Sequence, residues 1–247
     1  MRRIRITVSY DGTGFHGWQV QPGLPTIQQA LEAVLGEIEG VPVAVAGSGR
    51  TDAGVHALAQ VAAFSLANPI PPENLQKAMN RLLPRDIRVL AASEAAADFH
   101  PRYQARAKTY EYRIYRGDIC PPFERLYVHH YPYPLDEERM VELAPVLEGE
   151  HDFSAFAASD EKYNDGYSRV RRVSSSQAAR SGDLLIYRIT GSGFLKHMVR
   201  NVVGVLLEGG KGNLARADLE ARLQPGCAIL AGPTAPARGL FLVSVEY

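Results

Sequence analysis

The chain has 247 residues, enough for one large or two modest domains with real cores. Apolar residues make up 46% and charged residues 22%, as in a soluble globular protein, and 27 basic side chains balance 27 acidic ones, so a polyanionic partner must be read from local clusters. The two cysteines, Cys120 and Cys227, form no CxxC pair and fit a reducing, cytoplasmic setting. The seven histidines lack zinc-ligand spacing, and no run nears the roughly 20 apolar residues of a membrane span, so neither metal nor membrane is expected.

MRRIRITVSY alternates Ile4, Ile6, Val8 and Tyr10 against Arg3, Arg5, Thr7 and Ser9, the period of a strand rather than a signal peptide's apolar core. A glycine-rich loop, YDGTGFHGWQVQPG, follows. Thr26 then offers an N-cap with Gln29 three residues on, a capping box. Ile27, Ala30, Leu31, Val34, Leu35 and Ile38 share one helical face, and Gly40 is the expected stop. Val41, Val43 and Val45 alternate as a second strand that runs into GSGRTDAGVHA, residues 47–57. Residues 60–66 read as a third strand. Pro71 and Pro72 open a helix carrying Leu75, Met79, Leu82 and Leu83, which Pro84 ends. Ile87 to Ala91 complete a β-α-β-β-α-β order, the ferredoxin-like arrangement.

The second half repeats this order more loosely. KTYEYRIY is a strand with Tyr110, Tyr112 and Ile114 on one face. A helix from about Asp136 carries Met140, Leu143, Ala144 and Leu147, and residues 169–179 and 183–190 form a hairpin around Ser181-Gly182. FLKHMVRNVVGVLLEGG is the next helix, a short helix over 215–223 follows, and GLFLVSVEY closes the chain as a strand. The expected fold is therefore α+β: two ferredoxin-like, RRM-like halves, residues 1–105 and 106–247, sharing an antiparallel sheet with a cleft between them.

Charge is locally uneven. Arg102, Arg106, Lys108, Arg113 and Arg116 stand against one acid, Glu111, with Tyr103, Tyr110 and Tyr112 interleaved, and RVRR adds Arg169, Arg171 and Arg172. Cations for phosphates and aromatic faces for unstacked bases are what RNA recognition uses, although a solvated strand face has the same composition. Gly191-Ser192-Gly193 before the FLKHMVRN helix could expose backbone amides to a phosphate, or be an ordinary loop. Arg200 borders the apolar face of that helix, where a cation either pairs with an acid or reaches solvent.

Asp52 in GSGRTDAGVHA is a lone acid, since no other lies between Glu39 and Glu73, which disfavours paired-carboxylate chemistry. Ser48, His56 and Asp52 are too close in one loop for a triad, no GxSxG elbow is present, and a Walker A loop would need a GK[ST] ending. A nucleophile, a structural anchor or an Asx-turn aspartate remain.

GRTDAGVHA closely resembles the active-site motif of the tRNA pseudouridine synthase A family. YDGTGFHGWQVQ, KTYEYRIY, GEHDFSAF, FLKHMVRNVVG and GLFLVSVEY are similar to the family's other blocks in the same order, so the resemblance spans the chain. It implies the pseudouridine synthase fold, with the active site between two α+β halves. It also implies isomerisation of uridine to pseudouridine in the anticodon arm of tRNA, at nucleotides 38, 39 and 40, without cofactor or metal. By motif position Asp52 becomes the catalytic nucleophile, Arg200 its paired cation and Tyr110 the aromatic that stacks on the target base. Arg50 holds the flipped nucleotide and Leu240 lines the pocket. Arg102, Arg106, Lys108 and Arg171 are the expected RNA contacts. Attack at C1′, attack at C6 and abstraction of the C2′ proton all stay open. The resemblance further implies a cytoplasmic homodimer that acts on tRNA and has no DNA partner. A non-catalytic RRM-like RNA-binding protein is the alternative, against which stands the absence of a [KR]-G-[FY]-[GA]-F-V-x-[FY] pattern. A hydrolase holding phosphate on the glycine-rich loop is a third reading, disfavoured by the missing second acid.

Overall fold

The computed structural model of the chain describes residues 1–158, 168–227, 229 and 232–247. Its contacts separate two compact units, Met1–Arg106 with Phe241–Tyr247, and Ala107–Leu240. The closing strand thus groups with the first unit, whereas the sequence reading kept it with the second half.

The first unit contains β1 (Arg2–Tyr10), α1 (Ile27–Glu39), β2 (Ala46–Gly47), β3 (His56–Leu66), α2 (Pro72–Leu82) and β4 (Ile87–Glu94), with β10 (Leu240–Glu246) joining from Phe241 onward. Its sheet order is β4-β1-β3-β10, with β2 also on β3. β1 is antiparallel to both neighbours, and β10 is parallel to β3. Alternation in β1 does what its sequence requires: Ile4, Ile6, Val8 and Tyr10 are buried. α1 starts where Thr26 Oγ1 accepts the Gln29 N–H and stops at Gly40 in the left-handed region. It buries Ile27, Leu31, Val34 and Leu35, each contributing about 1.5–3 kcal/mol of transfer free energy.

One expected strand is absent. Val43 and Val45 are buried, yet the ladder forms only at Ala46–Gly47, opposite Ala62 and Ala63. The cause lies in α1. Glu32 accepts the Val45 N–H at 3.0 Å and Gln28 Nε2 donates to the Val45 carbonyl at 3.0 Å, occupying both groups that a strand partner would use.

The second unit contains β5 (Ala107–Tyr115), β6 (His129–His130), α3 (Glu137–Leu143), β7 (Gly149–Asp152), β8 (Val170–Ser181), β9 (Leu184–Gly191), α4 (Met198–Gly210) and α5 (Arg216–Arg222). Its sheet runs β5-β9-β8-β7 with antiparallel ladders, and β6 pairs in parallel with β5. Tyr112 faces Tyr187 and Ile114 faces Leu185 across the β5–β9 ladder, all four buried. The helix expected through Leu147 stops at Leu143 and continues as a 3-10 turn over Ala144–Leu147, because Pro145 cannot donate within an α-helix. Met140, Leu143, Ala144 and Leu147 are nevertheless all buried, as their spacing predicts.

α4 begins at Met198, four residues later than the apolar pattern predicts, because His197 takes a left-handed conformation, φ 60°. Gly191-Ser192-Gly193 therefore precede a turn and not a helix start, which favours the ordinary-loop reading of that segment over a helix N-terminus for a phosphate. Within each unit the ladders are mainly antiparallel, and the class is α+β. Among the described residues no helix is long and apolar enough to cross a membrane.

Candidate active site

The loop between β2 and β3 carries Arg50 and Asp52, and hydrogen bonds brace it along its length. Gln60, fully buried on β3, accepts from Ser48 Oγ at 2.5 Å and donates from Nε2 to the Gly49 carbonyl at 3.0 Å. Thr51 Oγ1 and the Tyr10 hydroxyl share a hydrogen at 2.8 Å, and the Thr51 carbonyl accepts the Trp18 N–H at 3.0 Å. Burial pushes the Tyr10 phenol far above its ordinary pKa, so it stays a neutral partner for Thr51. The Asp52 carbonyl accepts the Val55 N–H at 3.1 Å, and the Phe15 carbonyl accepts the Gly54 N–H at 3.3 Å. Amid these bonds the Asp52 side chain is half-buried and the Arg50 side chain exposed, with Arg50 Nε donating to Gln19 Oε1 at 3.0 Å.

The YDGTGFHGWQ segment lies directly against this loop, and two of its glycines explain how. A Cβ on Gly12 would stand 2.1 Å from the Val55 carbonyl oxygen. Gly17 has φ 84°, and a Cβ there would stand 2.5 Å from the Thr51 oxygen. Between the two segments sits His56, 1% exposed, its ring stacked on Phe241 at 4.7 Å. Its Nδ1 is 3.1 Å from Asp11 Oδ1 and 3.1 Å from the Gly12 N–H.

In the second unit Tyr110 projects from β5 with 8% exposure, its ring edge-to-face with Phe194 at 5.2 Å. Arg200 occupies the first turn of α4 and is clasped to the chain twice: Nε donates to the Ala235 carbonyl at 2.8 Å, and the Ala235 N–H donates back to the Arg200 carbonyl at 3.1 Å. Buried Asn201 secures that turn, donating to the Phe156 carbonyl at 2.7 Å and accepting from Thr234 Oγ1 at 2.7 Å. The Tyr112 hydroxyl donates to the Pro236 carbonyl at 2.8 Å, tying down the segment that leads to buried Leu240. Asp52 and Arg50 thus share one loop of the first unit, while Tyr110, Arg200 and Leu240 stand on three elements of the second.

The cationic run is less available than its composition predicts. Glu111 is buried and receives both Arg113 Nε and Arg188 Nε at 2.7 Å; burial alone would raise its pKa, but the two guanidiniums hold it below the usual carboxylate value. Arg116 is bound to Glu137 at 2.8 Å and to the carbonyls of Tyr131 and Tyr133. Tyr112 is fully buried, so of the three interleaved tyrosines Tyr103 is the exposed one, at 77%. Arg102 lies 5.8 Å from its ring centre and is itself exposed, as is Arg106. Lys108 is half-buried, and Arg171 donates from Nη1 to the Ser168 and Val170 carbonyls. Among the described residues no three His, Cys, Asp or Glu side chains group in a way that could hold a metal ion.

The sequence singles out neither Gln19, Gln60 nor Asn201, and it weighs His56 only as a triad member. Each is a polar residue whose partner is distant along the chain, and a buried polar group implies such a partner without naming it.

A model of the family described as tRNA pseudouridine synthase matches residues 6–104 and 143–247. Over 248 aligned residues the chain is 63% identical to the tRNA pseudouridine synthase A of Solibacter usitatus (strain Ellin6076), covering 100% of both chains. It is 44% identical to the protein of that name from Limosilactobacillus fermentum (strain NBRC 3956 / LMG 18251), covering 100% of this chain and 96% of the relative. The corresponding protein of Geobacillus kaustophilus (strain HTA426) is 43% identical, with 100% and 95% covered.

Proposed function

The chain belongs to the tRNA pseudouridine synthase family, and from that premise we propose that it isomerises uridine at nucleotides 38, 39 and 40 of the anticodon arm, with Asp52 as the nucleophile. The reaction breaks the C1′–N1 bond of a flipped-out uridine, turns the base, and joins C1′ to C5. The C5 proton leaves and N1 gains one, so the product is an isomer and no redox partner is needed.

One observation carries the reading. Asp52 is presented half-buried in the GRTDAGVHA loop while its neighbours are tied down, Thr51 to Tyr10 and Trp18, Gly54 to Phe15. Pre-organisation of this kind lets a carboxylate meet the ribose–base junction without first ordering its own backbone. Attack at C1′, attack at C6 and removal of the C2′ proton each ask that of it. Extruding the base costs a few kcal/mol, less in a loop than in a duplex.

Arg200 is proposed as the cation that works with Asp52, and its double clasp on Ala235 supports a fixed role. Tyr110 would stack on the target base, Arg50 hold the flipped nucleotide and Leu240 line the base pocket. Arg102, Arg106, Lys108 and Arg171 would contact the phosphate backbone, and the working form would be a cytoplasmic homodimer.

Mapping pseudouridines in tRNA incubated with the purified protein tests the site assignment. New pseudouridine at 38, 39 or 40, lost with Asp52→Asn, is the expected result. Modification confined to another arm of the tRNA would overturn it.

A further inference from the structure

We infer that Gln19 is a positioning residue for Arg50, set by a directional hydrogen-bond relay that begins at Glu32. The inference rests on the proposed role of Arg50 in holding the nucleotide.

The relay has four members. Gln28 Nε2 donates to Glu32 Oε1 at 3.0 Å and to the Val45 carbonyl at 3.0 Å. Gln19 Nε2 donates to Gln28 Oε1 at 2.7 Å, which also accepts the Val20 N–H at 3.1 Å. Gln19 Oε1 accepts Arg50 Nε at 3.0 Å.

An amide can ordinarily turn over, exchanging its donor and acceptor ends. Neither amide is at liberty to do so here. A backbone carbonyl only accepts, so Val45 fixes Gln28 with its nitrogen toward Val45 and Glu32. The Val45 N–H donating to Glu32 fixes that carboxylate in turn. Gln28 must then present oxygen toward Gln19, and the Val20 N–H demands the same. Gln19 accordingly presents its nitrogen to Gln28 and its oxygen to Arg50. Glu32 and Gln28 stand one turn apart on α1, so the relay transmits the rigidity of a helix to an exposed side chain on a loop.

The consequence for Arg50 is geometric. A free arginine side chain holds much rotamer entropy, which binding must suppress. Anchoring Nε restricts that freedom beforehand and commits one donor of five, leaving the Nη groups for a phosphate or ribose oxygen. The arrangement also explains why a polar Gln19 sits half-buried next to buried Trp18.

The test is a kinetic double-mutant cycle with Gln19→Met, Arg50→Leu and the pair. Single-turnover tritium release from tRNA labelled at C5 of uridine is measured at saturating enzyme, with tRNA Kd and Tm measured beside it. Gln19→Met should slow the single-turnover rate by about tenfold, the scale of one hydrogen bond to a charged group, with Kd and Tm nearly unchanged. The double variant should be no slower than Arg50→Leu alone. Independent, multiplying losses would overturn the inference, as would a Gln19→Met enzyme at the wild-type rate beside an impaired Arg50→Leu. A slow Gln19→Met enzyme whose Tm has fallen in step would show a merely structural role and overturn it too. Arg50→Leu at the wild-type rate would instead remove the reading of Arg50 on which the inference rests. Should Gln19→Met fold poorly, Gln28→Met cuts the relay one link further away and takes its place, with a smaller loss of the same kind.

Discussion

One ring nitrogen of His56 faces the Asp11 carboxylate and the Gly12 N–H at equal distance, 3.1 Å each. A nitrogen bearing a proton serves the acid, and one bearing a lone pair serves the amide, so either tautomer keeps the histidine tied to the YDG turn. Asp11 is itself fixed, accepting the Thr13 N–H at 2.9 Å and the Thr13 hydroxyl at 2.6 Å. Replacing His56 by Ala removes this tie and the stack on Phe241 together, and leaves a cavity beside the Asp52 loop. The expected loss is about 2–4 kcal/mol of unfolding free energy, read from urea titration, with activity falling as well. A variant as stable as the parent would show that the contact is idle.

Asp52→Asn changes charge and almost nothing in shape. Pseudouridine formation should drop by on the order of 10³–10⁴, the scale of losing one catalytic group, while tRNA affinity stays within a few-fold. Arg200→Leu should follow the same pattern, with turnover falling far more than affinity. A matched loss of turnover and affinity at Arg200 would mark it as a phosphate contact instead.

Among the arginines of residues 102–116, partner and exposure separate two classes. Arg102 is exposed beside Tyr103, whereas Arg113 is committed to Glu111. Arg102→Ala should reduce the slope of log affinity for tRNA against log salt by roughly 0.7–0.9, one released counterion, and Arg113→Ala should leave that slope alone. Equal slopes for the two variants would mean that pairing does not decide which cation meets the RNA.

His129 supplies a pH dependence. Burial, reinforced by Arg238, Lys211 and His130, lowers its pKa from 6.5 to about 4, and its Nδ1 is buried without a partner. Below pH 6.5 the unfolded chain takes up a proton that the folded one refuses, so stability is full above that pH and falls as pH drops toward about 4. Urea titrations across this window should show the decline, and His129→Phe should flatten it. A steeper decline in the variant would place the acid sensitivity elsewhere.

Much of the first unit is legible because its helices and strands each bury one face. Ile4 through Tyr10 and Ile27 through Leu35 announce their elements by spacing alone. The segment around Val43 misleads because α1 side chains satisfy its backbone, a relationship that periodicity cannot encode. α4 misleads in its start: a helix buried on nearly all sides has no polar face to mark its phase, and a single torsion at His197 sets its beginning. At the site, Asp52 stands out through its motif, but the tie at His56 and the relay through Gln19 depend on partners brought close only by folding. The basic run likewise conceals part of its neutralisation, since Glu137, which holds Arg116, lies well away in the chain.

The grouping of Phe241–Tyr247 with the first unit bears on how the protein is made. Chains emerge from the ribosome at about 5–20 residues per second, and early domains generally fold while later ones are still being synthesised. Here the first unit has to wait. The strand that pairs with His56 and Ala57, and the aromatic ring that covers His56, are translated only after every residue of the second unit. Until then the Asp52 loop has an open edge on one side. The unit that is first in sequence is therefore last to be finished, and a nascent chain cannot hold a completed Asp52 loop before the second unit has been made.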